Sequence, residues 1–414
     1  MRTRSKAKAA ALTLVSLPDD AFLLVIAACG DEDDEGDGVP LFEAVMGLGC
    51  LSKGMRQQLY RLQPLVGVQS LAVVQRSNHG PWRVTLMYKG YLCDTVLEQA
   101  RQGRVHSINA SETWLRPDVV RRVIPDLLGA GCSLQALDLG SAWLRCRIER
   151  LYISWEVTFG EAAVSSAVLR TLYLNLCQLS GPLPELRLPA LQVLDLSNNQ
   201  WTGGLEPLRG CTSLFWLEVS GNFLTGSLEP LRGCTALEEL SATRNRLTGD
   251  LEPLRGRTAL KELRLANNEL TGGLGPLRSC TSLQWLELGH NQLTGGLEPL
   301  RGSTALAALE LEGNQLTGSL EPLQGCVALQ CLALSDNELT GGLEPLRGCK
   351  KLEELALQKN KLTGDLEPLR GCAALQWLYC GDNQLTPTKA DKAHFEKQCE
   401  DFFMHPVYPV PATY

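Results

Sequence analysis

Several kinds of residue pattern are missing from this 414-residue chain, and each absence removes a class of protein. No run of 18 or more uncharged apolar residues occurs, so no transmembrane helix is expected. No long basic run is present and the net charge is −7, which argues against nucleic acid as the main partner. The five histidines are scattered and no Cys-x-x-Cys pair exists, so metal binding has no spacing to support it. A nucleophile elbow, a phosphate-cradling glycine loop, His-Glu-x-x-His and the kinase signatures are all lacking. The carboxylates that do occur recur with a fixed period and read as surface. A non-enzyme without metal or cofactor is therefore expected.

What is present is one short sentence of residues, written repeatedly between Leu169 and Thr386: L-x-x-L-x-L-x-x-N-x-L-T-G-x-L-E-P-L-R-G-C-T-x. Its first leucine falls at Leu191, Leu214, Leu237, Leu260, Leu283, Leu306, Leu329, Leu352 and Leu375, a step of 23. Its asparagine keeps the same step from Asn199 to Asn383, and one earlier copy, from Leu169, has Cys177 in the asparagine slot. A period of this length means a solenoid. Leu-x-Leu is a period-2 strand signal, and one strand per coil stacks into a parallel sheet. A single coil cannot bury its own leucines, so its neighbours must cover them. Each buried leucine contributes roughly 1.5–3 kcal/mol, most of it consumed by ordering the chain.

The remaining letters have physical roles too. Asparagine carries two amide donors and an acceptor, enough to satisfy backbone groups where the chain leaves the strand. The glycine after Leu-Thr (Gly203, Gly226, Gly249 and onward) suits a backbone at positive φ. The proline (Pro207, Pro230, Pro253 and onward) suits the opening of a short helical turn. The Glu before it and the Arg two residues after it read as a charge-balanced rim. Six of the fifteen cysteines form one column, Cys211, Cys234, Cys280, Cys326, Cys349 and Cys372. Arg257 and Ser303 fill two other slots of it, so the column is not a disulfide framework. Reduced, small, apolar side chains under the turn fit better, which suits a reducing compartment, cytoplasmic or nuclear.

This L-x-x-L-x-L-x-x-(N/C)-x-L core resembles the leucine-rich repeat family, and the L-T-G-x-L…P continuation is similar to its plant-type class. The resemblance covers about half the chain. It implies an α/β solenoid with a parallel concave sheet, short helical turns on the outer side and a helical N-terminal cap.

Outside the repeat, residues 1–16 have a basic start (MRTRSKAK) and are expected to be disordered. Residues 17–65 read as helical, with Leu17-Pro18-Asp19-Asp20 as the entry turn into AFLLVIAAC. Three readings of this region stand open. One is a plain helical cap on the solenoid. A second resembles an F-box, through Leu17-Pro18, an apolar first helix and Cys50-Leu51-Ser52-Lys53…Arg56. Its long loop at 30–39, and Met55 where that family often has tryptophan, depart from the pattern. This resemblance implies that Leu17 and Pro18 dock on a Skp-type adaptor of a cullin ubiquitin ligase, the coils presenting a substrate. The third is export: Ile26-Ala27-Ala28-Cys29 looks like a bacterial lipobox, although Pro18-Asp19-Asp20 cuts the apolar stretch in two. It would make the chain an exported or lipid-anchored receptor or adhesion protein.

Residues 66–168 are expected to hold irregular, helix-bearing repeats. Val105-x-x-Ile108 and Leu134-x-x-Leu137-x-Leu139 repeat the strand pattern, with helices expected over 92–103 and 116–131. Residues 387–414 are expected to form a capping helix, opened by Thr388-Lys389-Ala390-Asp391 and running to about Phe403, and a proline-rich tail.

Residues between the strand leucines face away from the core. They give an outer surface with aromatic islands, Phe215/Trp216, Trp285 and Trp377/Tyr379, set among Glu218, Glu287 and Glu310. Outward tryptophans have no core role, and Trp and Tyr are frequent binding anchors. These eight residues are the candidate partner-binding site, for a protein with basic and apolar groups.

Overall fold

The computed structural model describes residues 134–139 and 164–404 continuously, together with the isolated strands Ala11–Ser16, Phe22–Ala27, Leu71–Arg76, Trp82–Met87, Val105–Asn109, Trp114–Leu115, Trp143–Leu144 and Ile153–Ser154. The chain forms two compact units, Met1–Gln200 and Trp201–Tyr414.

In the first unit, Ala11–Ser16 and Phe22–Ala27 pair as an antiparallel hairpin. The expected entry helix is therefore a strand over Phe22–Ala27. A six-residue apolar run such as FLLVIA satisfies either period, and Leu17-Pro18-Asp19-Asp20 suits a hairpin loop as well as a helix start. Leu17 and Pro18 themselves, the expected helices over 92–103 and 116–131, and the rest of the F-box-like region lie outside the described residues. Further on, Trp82–Met87 pairs antiparallel with Leu71–Arg76 and parallel with Val105–Asn109. Parallel pairing then runs from Val105–Asn109 through Ala136–Asp138 and Thr171–Tyr173 to Val193–Asp195. Ile108 and Leu137, the middle leucine-slot residues of the two early repeats, are paired and buried.

The second unit is the regular solenoid. Its sheet runs Trp216–Glu218, Glu239–Ser241, Glu262–Arg264, Trp285–Glu287, Ala308–Glu310, Cys331–Ala333, Glu354–Ala356, Trp377–Tyr379 and Asp401–Phe403, every pair parallel and in the same register. The leucine column stays aligned because successive coils have equal length: Leu240, Leu263, Leu286, Leu309, Leu332, Leu355 and Leu378 face one another and are 0–1% exposed. Each coil leaves the strand through its asparagine. Asn268 Nδ2 donates to Ala242 O of the preceding coil (2.9 Å) and to Leu265 O (3.0 Å), while its Oδ1 accepts from Leu247 N (2.9 Å). The same three bonds recur at Asn291, Asn314, Asn337 and Asn360. In the first unit Cys177 substitutes one donor, its Sγ reaching Leu139 O at 3.0 Å.

Glu-Pro-Leu opens a 3₁₀ turn in the coils of the second unit, as at Glu298–Leu300 and Glu321–Leu323, with Gly275 replacing the glutamate in one, and proline sits in the first turn where no N–H is missed. A second parallel sheet lies between strand and turn, over Thr294–Gly295, Gln315–Gly318, Glu338–Gly341, Lys361–Gly364 and Gln384–Leu385. The glycine after Leu-Thr (Trp201-Thr202 before Gly203) has φ between 76° and 91° from Gly203 to Gly364, as its place in the sequence predicts.

The C-terminal cap departs from expectation. The helix Lys389–Gln398 opens with the expected capping box between Thr388 and Asp391, but ends at Gln398, five residues short of Phe403, and the chain goes on into a new strand, Asp401–Phe403. Asp401–Phe403 adds to the main sheet beside Trp377–Tyr379. Burial decides it: Phe395 (0% exposed) and Phe402 meet at 6.0 Å and cover the last coil's leucines.

Candidate interaction face

The open face of the second unit's sheet is read across the coils. One lane holds Trp216, Glu239, Glu262, Trp285, Ala308, Cys331, Glu354 and Trp377. The next holds Glu218, Ser241, Arg264, Glu287, Glu310, Ala333, Ala356 and Tyr379. Of the eight expected residues, Phe215 (39% exposed) and Trp285 (36%) stand most clear of the surface. Trp216, Trp377, Glu218, Glu287 and Glu310 are half-buried. Trp285 is covered on one face by the Arg264 guanidinium, 4.8 Å from the ring centroid, which Glu262 holds at 2.8 Å.

Tyr379 is not an exposed anchor. It is buried, stacked on Phe403 at 5.6 Å with 6° between the planes, and its hydroxyl donates to Asp401 Oδ2 at 3.3 Å. Burial, then the Asp401 charge, pushes its phenol up to about 12. The added strand claims this ring for the cap. Trp377 and Trp285 therefore remain as the aromatic limits of the central stretch, four strand steps or about 19 Å apart.

Between them the floor is low. Ala308, Ala333 and Ala356 are short side chains, with Cys331 beside them. Around this floor stand carboxylates whose burial and mutual repulsion outweigh the nearby Arg264, Arg244 and His290. Glu310 lies opposite Glu287 in the register, and burial, then Glu287, Glu312 and Glu354, raise its carboxyl to about 7. Burial likewise raises Glu287, Glu312 and Glu354. Glu312 was missed in the sequence because it lies just past the strand. Its carboxylate leans over Gly289, where a Cβ would fall 2.3 Å from Oε1. Its Oε2 is fully covered and accepts no hydrogen bond, and Gln358 Oε1, two coils on, is in the same condition. The signal available was Gly289 itself: a side-chain-free slot directly before an acidic one.

On the 3₁₀ rim the same residue type behaves differently. Glu229, Glu252, Glu298 and Glu344 each take a two-point grip from the arginine three residues on. Those bonds lower the carboxyls of Glu229, Glu252 and Glu298. The cysteine column beneath is buried, and burial raises the thiols of Cys234, Cys280, Cys326, Cys349 and Cys372, that of Cys349 up to about 12. Arg257 fits the column because its guanidinium donates to Arg232 O (2.7 Å) and Leu231 O (3.0 Å). Among the described residues no group of His, Cys, Asp and Glu is arranged to hold a metal, and no helix is long and apolar enough to cross a membrane.

Equal coils, an in-register parallel sheet and an asparagine ladder define a leucine-rich-repeat solenoid. Similar solved structures carry the same fold. The PEPR1–AtPEP1 complex matches with a TM-score of 0.58 at 24% identity, over 83% of this chain and 51% of that one. An internalin of Listeria monocytogenes matches at 0.57 and 21%, over 77% and 87%. The Arabidopsis receptor kinase HAESA, solved with the peptide hormone IDA and the co-receptor SERK1, matches at 0.53 and 24%, over 68% and 50%. This chain thus spans about half the length of the plant receptors it resembles. No family model matches the sequence, and no curated protein matches it.

Proposed function

We propose that this chain is a non-catalytic scaffold that holds a protein or peptide partner on the open face of its repeat sheet. One observation carries the reading. The leucine columns are completely buried, whereas the outward lanes vary from coil to coil and present half-exposed aromatic rings beside crowded, half-buried carboxylates. Fold stability needs the first set and not the second, so the second is free to recognise something. Tryptophan at such a surface is a frequent anchor. The similar structures support this, since HAESA was solved with a peptide hormone and a co-receptor bound.

The test is to replace Trp216, Trp285 and Trp377 together with alanine, and separately Glu229, Glu252 and Glu298 on the rim with glutamine. The tryptophan variant should lose the proteins captured from lysate, and the rim variant should keep them. Equal capture by both would remove the face from consideration.

A receptor or adhesion role outside the cell is favoured over a ubiquitin-ligase adaptor role. The similar structures include a plant receptor kinase and an internalin, and the first helix an F-box requires is a strand at Phe22–Ala27. Intact-mass analysis separates the two: cleavage before Cys29 with an added lipid means export. Binding to a Skp-type adaptor that is lost on Leu17 and Pro18 substitution would restore the other.

A further inference from the structure

We infer that the stretch of sheet between Trp285 and Trp377 seats an extended cationic segment of a polypeptide partner, with a lysine or arginine side chain lying over Ala308, Cys331 and Ala333 among Glu287, Glu310, Glu312 and Glu354. This rests on the scaffold reading and names the partner's chemistry.

Three separate features converge on it. First, shape: the three short side chains leave a low floor between two indoles, wide enough at about 19 Å for a strand-like segment to cross. Second, charge: four carboxylates on three coils crowd one another, and the sole cation among the causes acting on Glu310 is Arg264. That arginine is already held by Glu262 and Trp285. Third, hydrogen bonding: the covered oxygens Glu312 Oε2 and Gln358 Oε1 are both acceptors without a donor. Buried acceptors of this kind are costly unless paired. An ammonium or guanidinium supplies donors and charge together. An acidic or purely apolar segment would supply neither. The flanking indoles offer faces to apolar neighbours of the cation, or to a second cation.

Protonation gives the site a signature. The groups facing Glu310 are Glu287, Glu312 and Glu354, the Cys331 thiol, and Arg264; His290 and Arg244 act on Glu312 and Glu287. Glu310 must release its proton to pair with a cation, so binding strengthens as pH rises through about 7.

The experiment selects binders to the full chain from a displayed library of random 12-residue peptides, then measures the enriched peptides on variants. Expected are peptides enriched in Lys or Arg beside apolar residues. Their affinity should fall at least tenfold on E310Q/E312Q/E354Q, and should rise about tenfold from pH 5.5 to 8 in the parent but not in E310Q. Peptides that need Trp285 and Trp377 yet carry no cationic bias, or bind the glutamine variant equally, overturn the cationic assignment while leaving the scaffold reading intact. Selected peptides indifferent to the tryptophans, or no selected peptides at all, overturn both.

Discussion

Glutamate occupies two sides of the same coil and meets opposite fates. On the rim, Glu298 is gripped by Arg301 at 2.7 and 3.0 Å, and the arginine holds its carboxyl below the ordinary value. On the sheet face of the next coil, Glu310 stands among three other carboxylates and is driven up to about 7. The rim solves its electrostatics within one coil at Glu229, Glu252, Glu298 and Glu344, and between coils where Arg347 also reaches Glu367. The face leaves the carboxylates around Glu310 without such grips, and its residues vary between coils, Trp-Leu-Glu recurring at Trp216–Glu218 and Trp285–Glu287. A surface that is internally balanced needs no partner; one that is internally unbalanced is stable only because the spine beneath it is strong. The difference separates scaffold from recognition more sharply than exposure does, since rim and face are both open to solvent.

The spine must therefore dominate stability. Asn268→Ala should cost about 1–3 kcal/mol, because Ala242 O, Leu265 O and Leu247 N all lose a partner in a buried setting. Urea denaturation checks this, and an unchanged midpoint would mean the ladder is ornament rather than support.

Next comes the imbalance itself. Glu310 binds its proton more tightly in the folded chain (about 7) than at the ordinary carboxyl value of 4.5. Between those values the folded state holds more protons than the unfolded one, so stability falls as pH rises from about 4.5 to 7. Glu310→Gln removes that loss. The variant should equal the parent near pH 4 and exceed it by about 1–2 kcal/mol at pH 8. Parallel stability–pH curves for the two proteins would show that the face carries no strain.

How much of this was legible in the sequence divides along the same line. The period, the leucine columns, the asparagine ladder, the positive-φ glycines and the proline-opened turns could all be read, because each is dictated by backbone geometry and recurs. The left-handed residue just before the ladder asparagine could not. It has φ of 53–57° at Asn198, Arg244, Asn267, His290, Asp336, Lys359 and Asp382, yet no common side chain marks it. Tyr379 was misjudged because Asp401–Phe403 reads as the end of a helix until Phe402 is seen to be needed over the last coil. Of the face, the strand lanes were readable, but Glu312 and Gln358 lie past the strand, where period-2 alternation no longer says which way a residue points.

Arg257 sharpens the comparison from the turn side. It is a rare coil where the interior, not the face, carries an unbalanced charge: 5% exposed, its Nε without a hydrogen bond, and its guanidinium lowered by burial. Neighbouring coils place cysteine there and leave the same carbonyls to the turn. Arg257→Cys should therefore stabilise the chain by about 1 kcal/mol, since a buried cation is exchanged for a small apolar group. A destabilised variant would mean the guanidinium's bonds to Leu231 O and Arg232 O outweigh its desolvation.

The smallest effect belongs to the rim, and its smallness is the point. Glu298 and Arg301 are exposed side chains three residues apart on a 3₁₀ turn, 57% and 53% open to solvent. Water screens their attraction and holding both in one geometry costs side-chain entropy, so exposed pairs of this kind contribute little. Replacing both with glutamine should leave Tm unchanged within error, at low and high salt alike, and should leave peptide binding on the sheet face unchanged as well. If instead the rim variant melted early or lost a bound peptide, the two kinds of glutamate would not be doing separate jobs, and the face would owe its selectivity to the charge of the whole coil rather than to the carboxylates gathered around Glu310.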